Sequence, residues 1–395
     1  MQIGYKVRLL PTAEQAKLLL QHCNAARWTW NWALDKQVNA FRNAEGFIGS
    51  YAMRDAWKEA RPDWVAECAV NDLVNSIFDL DAAYKRFFKL QKSGVDKFTK
   101  SARQRAVRQQ RPLTELDMQG HPQFKSKRKS KLAYGIQNDK VSFYEKGVSI
   151  PKVGKVVYQT DAPITVGRGL TKVQNPRISF IGGKWLLSFA LDVSADKPVL
   201  RDICVGIDLG IKTLATVSCG GKITKIKNIN KMAKIKKLEK QLKRMQRTAS
   251  RREKQSHNQE KAYKQVQAIQ ARLRNIRRDY THKATRQVVD MLPRAIGIED
   301  LNVSGMMKNK HLAKAIQNCN FREIRRQIEY KSERQGTLIA LADRFYPSSK
   351  KCSCCGAIKH NLRLSDRVYV CESCGAVKDR DANAAHNLEM LALSA

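Results

Sequence analysis

Ile203-Cys-Val-Gly-Ile-Asp-Leu-Gly-Ile-Lys-Thr-Leu-Ala-Thr-Val-Ser-Cys-Gly-Gly221 reads as strand, turn and strand. Ile203 to Leu209 is apolar enough to be buried, Gly210 turns the chain, and Thr213 to Ser218 returns as the next strand in a hairpin closed around Gly220-Gly221. One residue breaks the apolar run: Asp208, near the end of the first strand. The arrangement recurs in Ala295-Ile-Gly-Ile-Glu299, a second buried strand ending in an acid, so Asp208 and Glu299 could sit on neighbouring strands. A third acid, Asp381 in Asp379-Arg-Asp-Ala-Asn-Ala-Ala385, starts the final helix. Each has a local explanation: a turn cap before Gly210, an exposed strand end, a helix N-cap. Together they suggest a shared partner, because charges that end apolar strands are expensive unless paired. Carboxylates converging from several elements are what a divalent cation needs to act on a phosphodiester. Asp379 competes for the third place; Asp381 is preferred because it directly precedes Ala-Asn-Ala-Ala.

The remainder of the chain makes such a cluster conspicuous. Lys and Arg number 74 against 36 Asp and Glu, for a net charge of +38, and the 395 residues suffice for two or three domains. That balance points to a polyanion, nucleic acid first. The basic residues spread along the whole length, interleaved with Trp28, Trp30, Trp32, Tyr51, Trp57 and Phe124, which favours a long nucleic-acid track over one membrane anchor. The first ten residues lack the pattern of a signal peptide, and no apolar run approaches the roughly 18 residues of a membrane span. A cytoplasmic protein is expected.

Along the chain, residues 3 to 10 alternate as a strand and Pro11-Thr12 with Glu14 begins a helix. Helical periodicity then covers residues 12 to 40, 51 to 59 and 70 to 90. From 93 to 132 it disappears in favour of Lys, Arg, Gln and Ser, as in a solvated linker or a segment ordered by nucleic acid. Residues 141 to 193 read as short β-runs, with a hairpin turning at Ile181-Gly-Gly-Lys-Trp185, and 194 to 198 as a linker. Residues 230 to 290 form a basic helical pair broken near 246 to 257. Its one-signed excess cannot be neutralised by internal ion pairs and suits a polyanion groove. A helix over 321 to 335 and a strand over 337 to 342 follow.

Cys352-Ser-Cys-Cys355-Gly and Cys371-Glu-Ser-Cys374-Gly are two C-x2-C knuckles fifteen residues apart, within zinc-ribbon spacing. Each following glycine lets the backbone turn its amides toward the thiolates. Four thiolates close a zinc site, making it structural and leaving catalysis to the acids. Cys354 is left over, and Cys23, Cys68, Cys204, Cys219 and Cys319 read as buried small hydrophobes in a reducing compartment.

Gly206-Ile-Asp-Leu-Gly-Ile-Lys-Thr-Leu-Ala-Thr216, Gly297-Ile-Glu-Asp-Leu301, Ser348-Ser-Lys-Lys-Cys-Ser-Cys-Cys-Gly356 and Asp379-Arg-Asp-Ala-Asn-Ala-Ala385 resemble the split RuvC nuclease of TnpB proteins, transposon-encoded RNA-guided DNA endonucleases related to the compact type V CRISPR effectors. The likeness is strongest over 200 to 390 and extends to Ala26-Arg-Trp-Thr-Trp-Asn31 and His121-Pro-Gln-Phe-Lys-Ser-Lys127. It implies a multidomain α/β plus α+β protein. Residues 1–10 and 120–196 would form a wedge β-barrel, with a helical recognition domain inserted at 11–119. Residues 200–349 and 376–395 would form the RNase H-like RuvC domain, with the zinc ribbon at 350–375. By the same resemblance Asp208, Glu299 and Asp381 bind Mg²⁺ and cleave double-stranded DNA beside a short target-adjacent motif, directed by a guide RNA from a transposon end, in a monomer. Two other readings share parts of this evidence. An actin- or chaperone-type ATPase also carries Gly-Ile-Asp-Leu-Gly, but Lys212 stands where a hydroxyl-rich phosphate loop is expected. A catalytically silent RNA-guided DNA-binding repressor would normally lack one of the acids.

Overall fold

The structure is a computed structural model and describes residues 2–127, 130–160, 173–192, 197–363 and 366–395. The expected linker at 194–198 falls mostly outside them. The chain divides into two units, Met1–Ala195 and Asp196–Ala395.

In the first unit, β1 (Gln2–Leu10) leads into α1 (Ala13–Arg42), α2 (Ser50–Ala60), α3 (Asp63–Ala66), α4 (Val70–Lys92) and α5 (Lys100–Arg108). Six strands follow: β2 (Leu132–Gly135), β3 (Ser142–Tyr144), β4 (Gly147–Ile150), β5 (Gly154–Gln159), β6 (Val173–Ile181) and β7 (Lys184–Asp192). The seven strands form one antiparallel sheet in the order β2-β6-β7-β1-β5-β4-β3. The start of α1 is fixed by a capping box, in which Thr12 Oγ1 accepts from Gln15 N at 3.2 Å and Gln15 Oε1 accepts from Thr12 N at 3.1 Å. Sheet and helices share one core: Val7, Leu9, Ile178 and Leu187 are buried in the same cluster as Leu19, Trp57, Leu73 and Tyr84.

The stretch from 93 to 132 departs from the linker expectation. It contains α5, capped by Thr99 and burying only Ala102 and Ala106, too small an apolar face to print a period on the sequence. Arg111 then grips Asp117 with two hydrogen bonds of 2.6 and 2.9 Å. Beyond it, Asn31 Nδ2 donates to Lys125 O at 2.9 Å, Lys125 N donates to Asn31 Oδ1 at 2.7 Å, and Trp30 Nε1 donates to Gln123 O at 3.0 Å. The basic segment is therefore held by protein.

The second unit begins with the meander β8 (Arg201–Leu209), β9 (Thr213–Cys219) and β10 (Lys222–Lys227), followed by the helical pair α6 (Ala233–Arg251) and α7 (His257–Val289). Next come β11 (Pro293–Glu299), α8 (Val303–Met306), α9 (Ala313–Cys319), α10 (Phe321–Gln335) and β12 (Leu338–Ala342). A two-stranded ribbon, β13 (Val368–Val370) and β14 (Val377–Asp379), precedes α11 (Arg380–Leu393). The main sheet is ordered β10-β9-β8-β11-β12, antiparallel through β8 and parallel from β8 to β12.

The two faces of this sheet are built differently. Val205 and Ile207 of β8, with Ile296 and Ile298 of β11, pack into the large core that also holds Val288 of α7 and Phe321, Ile324 and Ile328 of α10. The alternate residues are small: Cys204, Ala295 and Ala340 cluster with Ala392 of α11. A Cβ on Gly206 would lie 1.9 Å from the Ala385 carbonyl oxygen, and one on Gly297 would lie 1.9 Å from that of Leu388. Only glycine at both positions lets α11 rest directly on β8 and β11. Among the described residues no helix is long and apolar enough to cross a membrane.

Candidate active site

Strand register brings the first two acids together. Gly206 pairs with Gly297 and Ile207 with Ile298, in parallel, so the next step along both strands sets Asp208 beside Glu299. Side chains alternate along a strand, and both acids therefore share the face occupied by Gly206 and Gly297, the face that α11 covers. They stand at the carboxyl ends of parallel strands, where open α/β sheets present their ligand sites. Asp381, in the first turn of α11, completes the group from above.

The electrostatics reflect this crowding. Burial pushes the Asp208 carboxyl well above the usual carboxylate range; the charges of Glu299 and then Asp381 push the same way, and Arg380 opposes them. Glu299 is also raised by burial, against a hydrogen bond from the Ser348 hydroxyl and the charge of Arg380. Arg367 Nη1 lies 3.8 Å from Asp381 Oδ1. Among the described residues the only group of three or more His, Cys, Asp or Glu whose ligand atoms all lie within 4.8 Å is the four-cysteine cluster, so the three acids do not close that tightly on one another.

Asp379 has other work. Its carboxylate accepts from Ala382 N at 3.0 Å as the N-cap of α11 and pairs with Lys225 Nζ at 2.8 Å. Against burial, those contacts hold it below its ordinary range. The N-cap explanation considered for Asp381 thus belongs to Asp379, and although both charges reach Asp208, that of Asp381 acts on it more strongly.

Cys352, Cys355, Cys371 and Cys374 form the four-thiolate cluster. The Cys352–Cys374 and Cys355–Cys371 sulfur separations are 3.7 and 3.6 Å. A tetrahedron with zinc–sulfur bonds of about 2.3 Å has edges close to these lengths. Gly356 and Gly375 adopt φ of +79° and +71°, and the amide of Cys374, then against burial that of Ser373, brings the Cys371 thiol down to about 6. Cys354 is exposed and outside the cluster. Of the five cysteines read as buried hydrophobes, Cys219 is only half-buried, because it closes β9 at the hairpin turn.

The sequence reading missed the residues that join these two sites. Asn383 and Asn387, one turn apart on α11, are 0% and 2% exposed. Asn383 Nδ2 donates to Lys351 O at 2.7 Å and its Oδ1 accepts from Ser353 N at 3.0 Å. Asn387 Nδ2 donates to Ser348 O and Lys351 O, each at 2.7 Å. The loop entering the first knuckle is thereby clamped to α11, and Ser348 within it holds Glu299. The available signals were Cys204-x-Gly206-x-Asp208 and Ala295-x-Gly297-x-Glu299, two runs of small residues at strand spacing that each end in an acid, and Asn383-x-x-x-Asn387 at helical spacing.

Comparison with known proteins agrees with this architecture. Residues 188–310 match the OrfB_IS605 family, described as a probable transposase. Residues 321–388 match the Cas12f1-like TNB domain, and residues 1–45 match the helix-turn-helix domain of OrfB_IS605 proteins. That last segment is here a strand followed by one continuous helix. A Streptomyces pristinaespiralis protein named "Putative RNA-guided DNA endonuclease" is 28% identical over 99% of this chain and 90% of its own length. Escherichia coli K12 InsQ, named in the same way, is 28% identical over 98% of this chain and 91% of its own. The cryo-EM structure of a Cas12f1–sgRNA–target DNA complex aligns with a TM-score of 0.54 over 98% of each chain at 13% identity, a likeness of fold. At its start, middle and end the chain is thus similar to OrfB_IS605 transposases and Cas12f1-like proteins.

Proposed function

We propose that the protein is an RNA-guided DNA endonuclease that hydrolyses double-stranded DNA beside a short target-adjacent motif at Asp208, Glu299 and Asp381. The observation that carries this reading is the parallel register that sets Asp208 beside Glu299 beneath the first turn of α11. Three oxygen-donor groups whose mutual charge is costly fit a divalent cation, and magnesium suits an all-carboxylate set. Bound there, Mg²⁺ would supply Lewis-acid activation of water and phosphate. The chain's own residues do the remainder. Ser348 orients the Glu299 carboxylate, Arg380 limits the repulsion felt by Asp208 and Glu299, and Asp379 and Lys225 anchor the helix that carries Asp381. The four cysteines hold a structural zinc, since a closed thiolate set leaves no position for substrate.

In this reading 200–349 and 376–395 are the RuvC-type nuclease domain, 350–375 the zinc ribbon, 1–10 and 120–196 a wedge domain, and 11–119 the recognition helices. The guide is an RNA from a transposon end, and a cytoplasmic monomer carries it. The relatives named as RNA-guided DNA endonucleases support the guide and the target class. The test is cleavage of a plasmid matched to the RNA that copurifies with the protein. Cleavage should require Mg²⁺ and fall by at least about a hundredfold in Asp208→Ala, a loss of the size seen when one transition-state stabiliser is removed. Undiminished cleavage in that variant refutes the assignment. DNA binding without cleavage by the unaltered protein would instead identify a repressor.

A further inference from the structure

The second unit carries two grooves that share a border. The larger, about 1080 Å³, lies between the α6–α7 pair and α9. The smaller, about 750 Å³, runs beneath α10 and reaches Glu299 and Leu209. Gln317 on α9 and Asn320 at the α9–α10 junction line both. A chain lying in the first groove and crossing these two side chains arrives at the carboxylates.

The charge of the larger groove is one-sided. Lys236, Lys240 and Lys243 on α6, Arg274 and Arg278 on α7, and Lys314 on α9 line it and are exposed. Its two acids are already engaged, Glu239 by Arg277 at 2.6 Å and Glu323 by Arg326 at 2.6 Å. Among the described residues none of those six cations makes an ion pair. Past the border, Arg325 and Arg344 are tied to Asp300, whereas Arg322, also exposed, is in no ion pair among the described residues. Unpaired cations therefore continue from the helical pair to the mouth of the acid site.

We infer that this groove is a phosphate track that leads one strand of the DNA being cut across Gln317 and Asn320 to the Asp208–Glu299 site, with Arg322 as the last positioning residue. A volume of about 1080 Å³ is that of a large small-molecule cleft, room for a few nucleotides of one strand, whereas a single duplex turn is about 34 Å long. The amides of Gln246 and Gln270 along the same groove can hydrogen-bond phosphate and sugar oxygens, contacts that carry no sequence information. The inference rests on the nuclease reading of the three acids.

The test measures binding of a single-stranded DNA oligonucleotide to the full chain across a salt series, in an Asp208→Ala background, with and without K236Q, K240Q, R274Q and R278Q. All four positions are exposed, so melting temperature serves as the folding control. Four lost phosphate contacts should flatten the slope of log K against log salt by about 3, at roughly 0.7 per contact for a single strand. In the cleavage assay the same four substitutions, and Arg322→Gln alone, should raise KM at least tenfold with kcat little changed. An unchanged salt slope overturns the track. Flattening for the guide RNA with none for DNA assigns the groove to RNA and overturns it equally. An Asp208→Ala protein that still cleaves condemns the nuclease reading instead, and the salt slope is read independently of that outcome.

Discussion

Gly206 shows how narrowly one residue can set a site. Its absent side chain is the space through which α11 reaches β8, since a Cβ there would lie 1.9 Å from Ala385 O and 2.3 Å from Glu389 N. Both obstacles are backbone and cannot swing aside. Gly206→Ala should therefore cost about 3 kcal/mol or more and lower the melting temperature by several degrees, because overpacking against fixed atoms moves a whole element. Gly4→Ala, with nothing within 4 Å of the new Cβ, should leave melting nearly unchanged. Calorimetry of the two variants checks the contrast, and equal effects would remove the close-approach argument. Asp72, on α4 in the first unit, allows a pH test. Burial lifts its carboxyl to about 6, against the hydrogen bond from Gln137 N at 2.9 Å, with Asp139 raising it further and Lys140 lowering it. Its other oxygen has no hydrogen-bond partner among the described residues. Between pH 3.8 and about 6 the folded state keeps a proton that the unfolded state has lost, so stability falls as pH rises through that window. Asp72→Asn keeps the acceptor for Gln137 and should flatten the dependence, gaining up to about 3 kcal/mol at pH 7 by urea unfolding. A variant as pH-dependent as the parent would show that Asp72 is not the group responsible.

At the scale of elements, α11 does three things: it caps the small-residue face of the sheet, carries Asp381 and clamps the first knuckle. Asn387→Ala would leave the buried Ser348 carbonyl without that donor, at a cost of about 1–3 kcal/mol, while the Lys351 carbonyl keeps the Asn383 amide. Because Ser348 holds Glu299, the variant should also slow cleavage while leaving the thiolates able to bind metal. Stripping metal from the cysteines with a chelator should act from the other end, loosening 348–376 first. Hydrogen exchange that quickens in β13 and β14 before β8 and β11 would support this order, and uniform quickening would contradict it. Much of this architecture was legible in the sequence. The apolar period of α10 marked Phe321–Gln335 to the residue, and the glycines and acids of β8 and β11 marked their strands because buried parallel strands are nearly all apolar. The cysteine pairs were plain from spacing alone. What could not be read depended on partners distant in sequence. Helix α5 hides two alanines, the basic 121–125 stretch is held by Asn31 and Trp30, and the Asn383–Asn387 clamp exists only once α11 lies beside residues 348–353.

Across the whole molecule the charge of +38 governs behaviour in solution. Self-repulsion of this size opposes compactness, and added salt screens it. For protein freed of nucleic acid the melting temperature should rise between about 50 and 500 mM NaCl, while affinity for DNA and RNA falls over the same range. A melting temperature that drops with salt would mean that attractive ion pairs, and not repulsion, dominate the surface. The seat of α11 on Gly206 and Gly297 also has a consequence in time. During synthesis β8 and β11 leave the ribosome well before α11, so a nascent chain holds Asp208 and Glu299 on an uncovered strip of glycines with the knuckle unclamped and Asp381 not yet made. The three acids can therefore converge only once α11 has been translated.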